Sequence, residues 1–181
     1  MNDHATALDA ACLTAHGDGA AEAEPKTLVV VYYGAVAHEL LLMGARLGYT
    51  IALLDPDDDA RDDAVARVPG LLAAPGLDAL PLLDEHADVV VADHHRDDLG
   101  LVLRDLLSTK ARWIGLMGAP RHIGPHVEAL GALGVDAGDI ARVHRPIGLN
   151  IGSRRPAEIA VATLAGLVAD RNGRPGGFSF E

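Results

Sequence analysis

The feature that most constrains the fold is a strand, a glycine turn, a helix and a second strand within fewer than thirty residues. Residues 28–33 are apolar or aromatic, which predicts a strand buried on both faces, and the strand ends at Gly34. Apolar side chains recur at helical spacing over residues 36–47, and Gly48 follows as a helix C-cap. Residues 50–54 predict the next strand. Such a βαβ unit is right-handed almost without exception, and its two strands are parallel.

The alternation of strands and helices continues along the chain. Residues 56–68 are rich in Asp and Arg and predict an exposed helix or loop. Two further strands are predicted at 88–92 and 111–117. Three further helices are predicted at 99–107, 123–133 and 156–170. This order predicts an α/β fold, with a Rossmann-like, doubly wound, mainly parallel sheet and helices on both faces. We expect residues 1–25 to form a flexible arm and residues 26–181 to form the single domain.

Composition excludes several classes of function. The formal charge of −11 repels phosphates, so we expect binding neither to nucleic acid nor to an anionic membrane. No apolar run reaches the roughly 18 residues of a membrane span, and no signal peptide is evident, so we expect a cytoplasmic protein. The single cysteine, Cys12, excludes an intramolecular disulfide and a cysteine-only zinc site.

The charge is distributed unevenly. Residues 111–181 contain eight Arg and six acidic side chains, whereas residues 1–110 contain seven basic and twenty acidic side chains. An anionic ligand is therefore expected near the C-terminal third of the chain.

The first strand-to-helix turn is where dinucleotide-binding folds hold pyrophosphate, which makes Gly34 and Ala35 candidate binding residues. Asp55 ends the second strand, where an acidic side chain binds a ribose hydroxyl; the alternative is that Asp55 caps the turn before Pro56. Tyr32 replaces the first fingerprint glycine. Because tyrosine is strained at positive φ, we expect the turn to be rebuilt or displaced and NAD(P) binding to be weak or absent.

Two histidines, His94 and His95, follow the predicted strand at 88–92 and so lie at the carboxyl edge of the sheet, where open α/β sheets bind ligands. No metal-binding spacing accompanies them, so we predict polar contacts to a ligand, or a helix cap formed by Asp97, rather than a metal site.

Two later glycine loops are candidate anion sites. Gly118 permits close approach of a ligand, and Arg121 can pair with phosphate or carboxylate; the alternative is a plain tight connection. Gly148, Asn150 and Gly152 form a loop before the last helix that can make an anion pocket, although its glycines can equally serve only to relieve steric strain. No nucleophile stands in a recognisable catalytic setting, so no catalytic residue is predicted.

Three segments carry a family resemblance: WIGLMG at 113–118, PIGLNIG at 146–152 and PAEIA at 156–160. They resemble the C-terminal Rossmann domain of the XdhC/CoxI family, and the likeness extends over residues 28–177. The resemblance implies a protein that binds the molybdopterin cofactor and assists its sulfuration and insertion into xanthine or carbon monoxide dehydrogenase-like enzymes. The implied partners are a client molybdenum hydroxylase and a separate protein of the XdhC N-terminal type. Our default expectation for the assembly is a homodimer.

Three functions follow from these observations. The leading hypothesis is a nucleotide- or cofactor-binding accessory protein with no turnover of its own. The second is an NAD(P)-dependent oxidoreductase, which needs an intact pyrophosphate turn. The third is a degenerate Rossmann interaction module whose fold survives without a ligand.

Overall fold

The computed structural model describes residues 24–79, 82–118 and 124–174. Within them, six strands form one parallel sheet in the order β3-β2-β1-β4-β5-β6. The strands are β1 (Thr27–Val31), β2 (Thr50–Leu54), β3 (Leu72–Ala74), β4 (Ala87–Val91), β5 (Trp113–Leu116) and β6 (Val143–His144). The strand order reverses between β1 and β4, which is the switch point where doubly wound sheets bind ligands. The predicted Rossmann-like fold is confirmed.

Helices cover both faces of this sheet. They are α1 (Ala35–Arg46), α2 (Asp58–Arg67), α3 (Leu99–Leu107), α4 (Pro125–Ala132), α5 (Ala137–Ile140) and α6 (Pro156–Arg171), with a 3-10 helix at Leu77–Ala79. One core contains side chains of α1, α2 and α6, and the other contains side chains of α3 and α4. All five residues of β1 are buried, as expected for a strand packed on both faces. Every helix among the described residues is too short or too polar to cross a membrane.

A buried ion network joins α6 to the amino edge of the sheet. The Asp88 carboxylate is 0% exposed and accepts hydrogen bonds from Nε of Arg112 and Nε of Arg171, both at 2.7 Å. The Tyr49 hydroxyl donates to the same carboxylate at 3.3 Å. Burial, together with the negative charge of Asp88, raises the pKa of Tyr49 to about 12. The network anchors α6, and α6 in turn supports the loop that precedes it.

The long elements lie where the sequence predicts them, within two residues at most ends. The short strands β3 and β6 and the short helix α5 were not predicted. The predicted strand at 28–33 ends early, at Val31, because Tyr32 leaves the extended conformation with φ of 69°. The proposed arm at residues 1–25 lies almost wholly outside the described residues.

Candidate functional site

The carboxyl edge of the sheet divides into two parts. The first half consists of residues 32–34 after β1 and 55–57 after β2. The second half consists of residues 92–98 after β4, 117–118 after β5 and 145–155 after β6.

Tyr32 adopts the left-handed backbone conformation in the turn that follows β1. Its φ of 69° is the left-handed conformation that glycine adopts easily, and it costs a tyrosine on the order of 1 kcal/mol. The side chain is 3% exposed, its hydroxyl donates to Asp98 at 2.8 Å, and the Arg96 guanidinium lies 4.8 Å from the ring centroid. Burial, then the bond to Asp98, raises the pKa of Tyr32. The prediction that the turn is rebuilt or displaced is wrong, because these contacts hold Tyr32 in the strained conformation.

The Asp55 carboxylate accepts hydrogen bonds from backbone amides of the first half. Its side chain is buried, with Oδ2 accepting from the Tyr33 amide at 2.7 Å and Oδ1 accepting from the Asp57 amide at 3.0 Å. These are the bonds of the turn-capping alternative, and ribose binding by Asp55 stays a prediction. Gly34 precedes α1 in extended backbone with open space around it, and Ala35 is the first residue of α1.

A cavity of about 620 Å³ lies beside the first half, on the face of the sheet covered by α3. Its lining includes Tyr32, Leu77 and the acidic side chains of Asp78 and Asp105. No lysine, arginine or histidine of the described residues lines it. A cavity lined by acidic and by no basic side chains does not attract phosphate. Two cations nevertheless lie beside the first half: Arg96, over the Tyr32 ring, and Arg61, whose Nη1 donates to the Asp55 carbonyl at 2.6 Å.

The second half begins with the two predicted histidines. The rings of His94 and His95 lie 4.0 Å apart between centroids, and Asp93 accepts a hydrogen bond from the His95 amide at 2.9 Å. Burial, then the positive charges of His95 and Arg145, lowers the pKa of His94. In the part of the chain that the structure describes, no group of three or more His, Cys, Asp or Glu side chains could hold a metal.

Arg145 is the residue that sequence reasoning missed. A Cβ atom on Gly118 would lie 2.5 Å from Nη2 and 2.7 Å from Nε of Arg145, and the backbone of Gly118 has φ of 156°. Gly118 therefore makes room for a guanidinium of the same chain. Its role in admitting a ligand stays a prediction, and the space beside its Cα is occupied by the Arg145 side chain. Arg121, predicted alongside Gly118, lies outside the described residues.

His126, at the start of α4, faces the same cation. Its side chain is buried, and Nδ1 has no hydrogen-bond partner among the described residues. A Cβ atom on Gly124 would overlap the His126 ring and lie 3.1 Å from Cδ of Arg145. Burial, then the charge of Arg145, lowers the pKa of His126. The second half thus combines a guanidinium with two imidazoles that favour the neutral state.

The loop at 145–155 is fastened to α6. Gly148 has φ of 85°, and a Cβ atom there would lie 3.0 Å from the α6 backbone, while the Leu149 amide donates to an α6 carbonyl at 3.0 Å. Gly148 therefore has a packing role. Asn150 and Gly152 are exposed on the loop, and Gly152 has φ of 69°. These two residues remain available for contacts with a ligand or partner.

Comparison with known proteins identifies the family. The family model of the XdhC Rossmann domain matches residues 28–167, which is most of the chain. The chain belongs to the XdhC Rossmann-domain family. The resemblance drawn from the segments at 113–118, 146–152 and 156–160 is confirmed.

Two similar proteins are both longer than this XdhC-family chain. The uncharacterized protein YqeB of Escherichia coli K12 is 31% identical over 158 residues, covering 85% of this chain and 29% of YqeB. A Bacillus halodurans protein described as a xanthine dehydrogenase superposes with a TM-score of 0.66 at 20% identity, covering 83% of this chain and 44% of that protein. At that identity the likeness shows the fold alone. The chain spans less than a third of the length of YqeB.

Proposed function

We propose that this XdhC-family chain is an accessory protein for a molybdenum hydroxylase of the xanthine or carbon monoxide dehydrogenase type. Its role would be to bind the molybdopterin cofactor without catalysing a reaction itself. The observation that carries the proposal is the Arg145 side chain packed against Gly118 and Gly124 at the carboxyl edge, where this fold binds ligands, in a domain of this family.

The side chains of the second half fit the chemistry of that cofactor. Molybdopterin has a phosphate group and a fused ring system with hydrogen-bonding edges. The Arg145 guanidinium suits the phosphate, since it can form paired charge-assisted hydrogen bonds. His94 and His126 have pKa values lowered by burial, so each imidazole can both donate and accept towards a ring edge. Asn150 adds an exposed amide. The bound group would supply the molybdenum centre that the client enzyme uses.

The oxidoreductase alternative is less well supported. It requires pyrophosphate at the β1 turn, where the Tyr32 ring is packed and the Asp55 carboxylate already accepts two backbone hydrogen bonds. The interaction-module alternative requires that no ligand binds at the edge at all.

The proposed partners are a client molybdenum hydroxylase, a separate protein of the XdhC N-terminal type and a second copy of this chain. Native mass spectrometry on protein purified from a host that makes molybdopterin tests the central step. The same protein from a host blocked in pterin synthesis is the matched control. A bound pterin mass in the first sample alone is the expected result. A nicotinamide dinucleotide mass would support the oxidoreductase, and an unliganded mass in both samples would contradict the proposal.

A further inference from the structure

We propose that the cavity beside the first half binds a small organic cation, an apolar body that carries an ammonium or guanidinium group. The cavity has a volume of about 620 Å³, within the range of roughly 300–1,000 Å³ typical of ligand pockets. It lies at the carboxyl ends of β1 and β2, next to the position where the strand order reverses. The proposal goes beyond the proposed function and does not depend on it, because it concerns a different part of the edge and a ligand of opposite charge.

The first support is the apolar wall of the cavity. The ends of β1 and β2, the segments on either side of the 3-10 helix and one side of α3 all contribute to it, through Val31, Leu54, Leu77, Leu83 and Val102. All five side chains belong to the core on this face of the sheet or pack against it, so the fold holds the wall in place. An apolar body bound there is removed from water, which favours binding.

The second support is that the side chains in the lining offer a ligand acceptors rather than donors. The hydroxyl of Tyr32 donates to Asp98 at 2.8 Å, and the hydroxyls of Ser108 and Thr109 donate to carbonyls of α3 at 2.6 and 2.7 Å. Because these hydrogens are already used, only lone pairs of the three hydroxyls remain for a ligand. The other polar side chains of the described lining are carboxylates, which accept only. The hydrogens must therefore come from the ligand.

The third support is the charge of those carboxylates. Asp78 is exposed and forms no hydrogen bond or ion pair within the described residues. Asp105 receives Nε and Nη2 of Arg104 on Oδ1, at 3.0 and 2.9 Å, which leaves its Oδ2 for another donor. An ammonium group has three donors and the complementary charge, and hydrogen bonds between two ions are stronger than those between neutral groups.

The two guanidinium groups beside the first half do not cancel this charge. Neither Arg61 nor Arg96 belongs to the lining. Each has a carboxylate of its own, since Arg61 forms an ion pair with Asp58 and Nε of Arg96 lies 3.7 Å from Oδ1 of Asp98. The cavity therefore favours cations over anions.

Titration of the full chain followed by nitrogen–proton correlation NMR tests the proposal with three probes of similar size. Benzylamine is protonated at neutral pH, benzyl alcohol is neutral and benzoate is an anion. Benzylamine should bind and shift the amide signals of Gly76 and Val102, which line the cavity. Benzyl alcohol should bind about tenfold more weakly, because it lacks the charge-assisted hydrogen bond, and benzoate more weakly still.

Asp78→Asn keeps the shape of the side chain and removes its charge. It should weaken binding of benzylamine by about tenfold and leave the affinity for benzyl alcohol within about twofold. Asp62→Asn is the matched control, because it removes the same charge from an exposed position of α2, on the other face of the sheet. This control should leave both affinities within about twofold.

Val102→Phe tests the cavity itself, because the larger side chain fills it and should weaken benzylamine and benzyl alcohol together. Circular dichroism checks that each variant folds, and Asp78→Asn decides the question if Val102→Phe does not. Equal affinities for the three probes would overturn the preference for a cation. Equal losses for Asp78→Asn and Asp62→Asn would show general attraction to an acidic protein instead of a site. Amide shifts confined to other parts of the chain, or no binding of any probe, would overturn the cavity as the site.

Discussion

The two halves of the carboxyl edge share the same sheet but differ in charge and in what fills their turns. In the first half, Tyr32 stands where dinucleotide-binding proteins have a glycine, and its ring is buried. In the second half, Gly118 leaves space that the Arg145 guanidinium enters. The fold therefore offers ligand positions at every strand end, and the side chains beside each turn decide which position stays available. This difference predicts that an anionic ligand binds at the second half.

The largest expected effect comes from removing Asp88, the centre of the buried ion network that anchors α6 at the amino edge of the sheet. Asp88→Ala leaves Arg112 and Arg171 without their buried partner and should lower the free energy of unfolding by about 3–5 kcal/mol in urea titrations. Asp170→Ala is the matched control, because that carboxylate is partly exposed and should cost about 1 kcal/mol or less.

Hydrogen exchange separates the two halves in the same experiment. Amides of the loop at 145–155 should exchange faster in Asp88→Ala, because α6 loses its anchor, whereas the amide of Tyr33 should be affected less. Equal acceleration in both halves would show that the network supports the whole domain evenly.

A pair of glycine substitutions compares the halves directly. Gly148→Ala places a methyl group 3.0 Å from the α6 backbone at φ of 85° and should destabilise the protein by about 1–3 kcal/mol. Gly34→Ala meets open space in extended backbone and should change stability by less than about 1 kcal/mol. Thermal unfolding of both variants checks this difference, and equal losses would contradict the packing assigned to Gly148.

Low pH should destabilise the protein through His94 and His126 of the second half. The pKa values of His94 and His126 are lowered in the fold, so below their unfolded pKa of about 6.5 the unfolded chain binds more protons than the folded one. The free energy of unfolding should therefore fall as the pH drops through that value. His126→Gln should reduce this slope, and added phosphate should reduce it in the wild type by favouring the protonated imidazoles. A slope unchanged by both would separate His126 from the anion site.

The sequence predicted the elements that carry a repeating pattern. The continuous apolar run of β1 and the helical stripe of α6 are both long enough to be recognised. The strands β3 and β6, of three and two residues, show none, since their pairing depends on the neighbouring strands. Because β6 was not predicted, Arg145 was not recognised as a site residue. A residue can be assigned to the carboxyl edge only when the strand before it is known.

Only part of the candidate site could be predicted, because the contacts between its residues join positions that are distant in sequence. The glycine at position 118 predicted close approach of a ligand, which stays a prediction, because a glycine does not reveal which group lies against it. The group is Arg145, which is distant in sequence. Asp55 likewise shows the acidic type that a ribose site needs, yet its buried carboxylate bonds the Tyr33 and Asp57 amides. Such competing partners become visible only in three dimensions.

Calorimetric titration of NAD and NADP tests whether Tyr32 closes the first half of the carboxyl edge to dinucleotides. We predict dissociation constants of about 1 mM or worse for the wild type, equivalent to about −4 kcal/mol or less of binding free energy. Tyr32→Gly removes the buried ring and the strain of a tyrosine at φ of 69°, and tighter binding by this variant alone would show that Tyr32 closes the turn. Micromolar binding of NAD by the unmodified protein would show instead that the first half is open to dinucleotides.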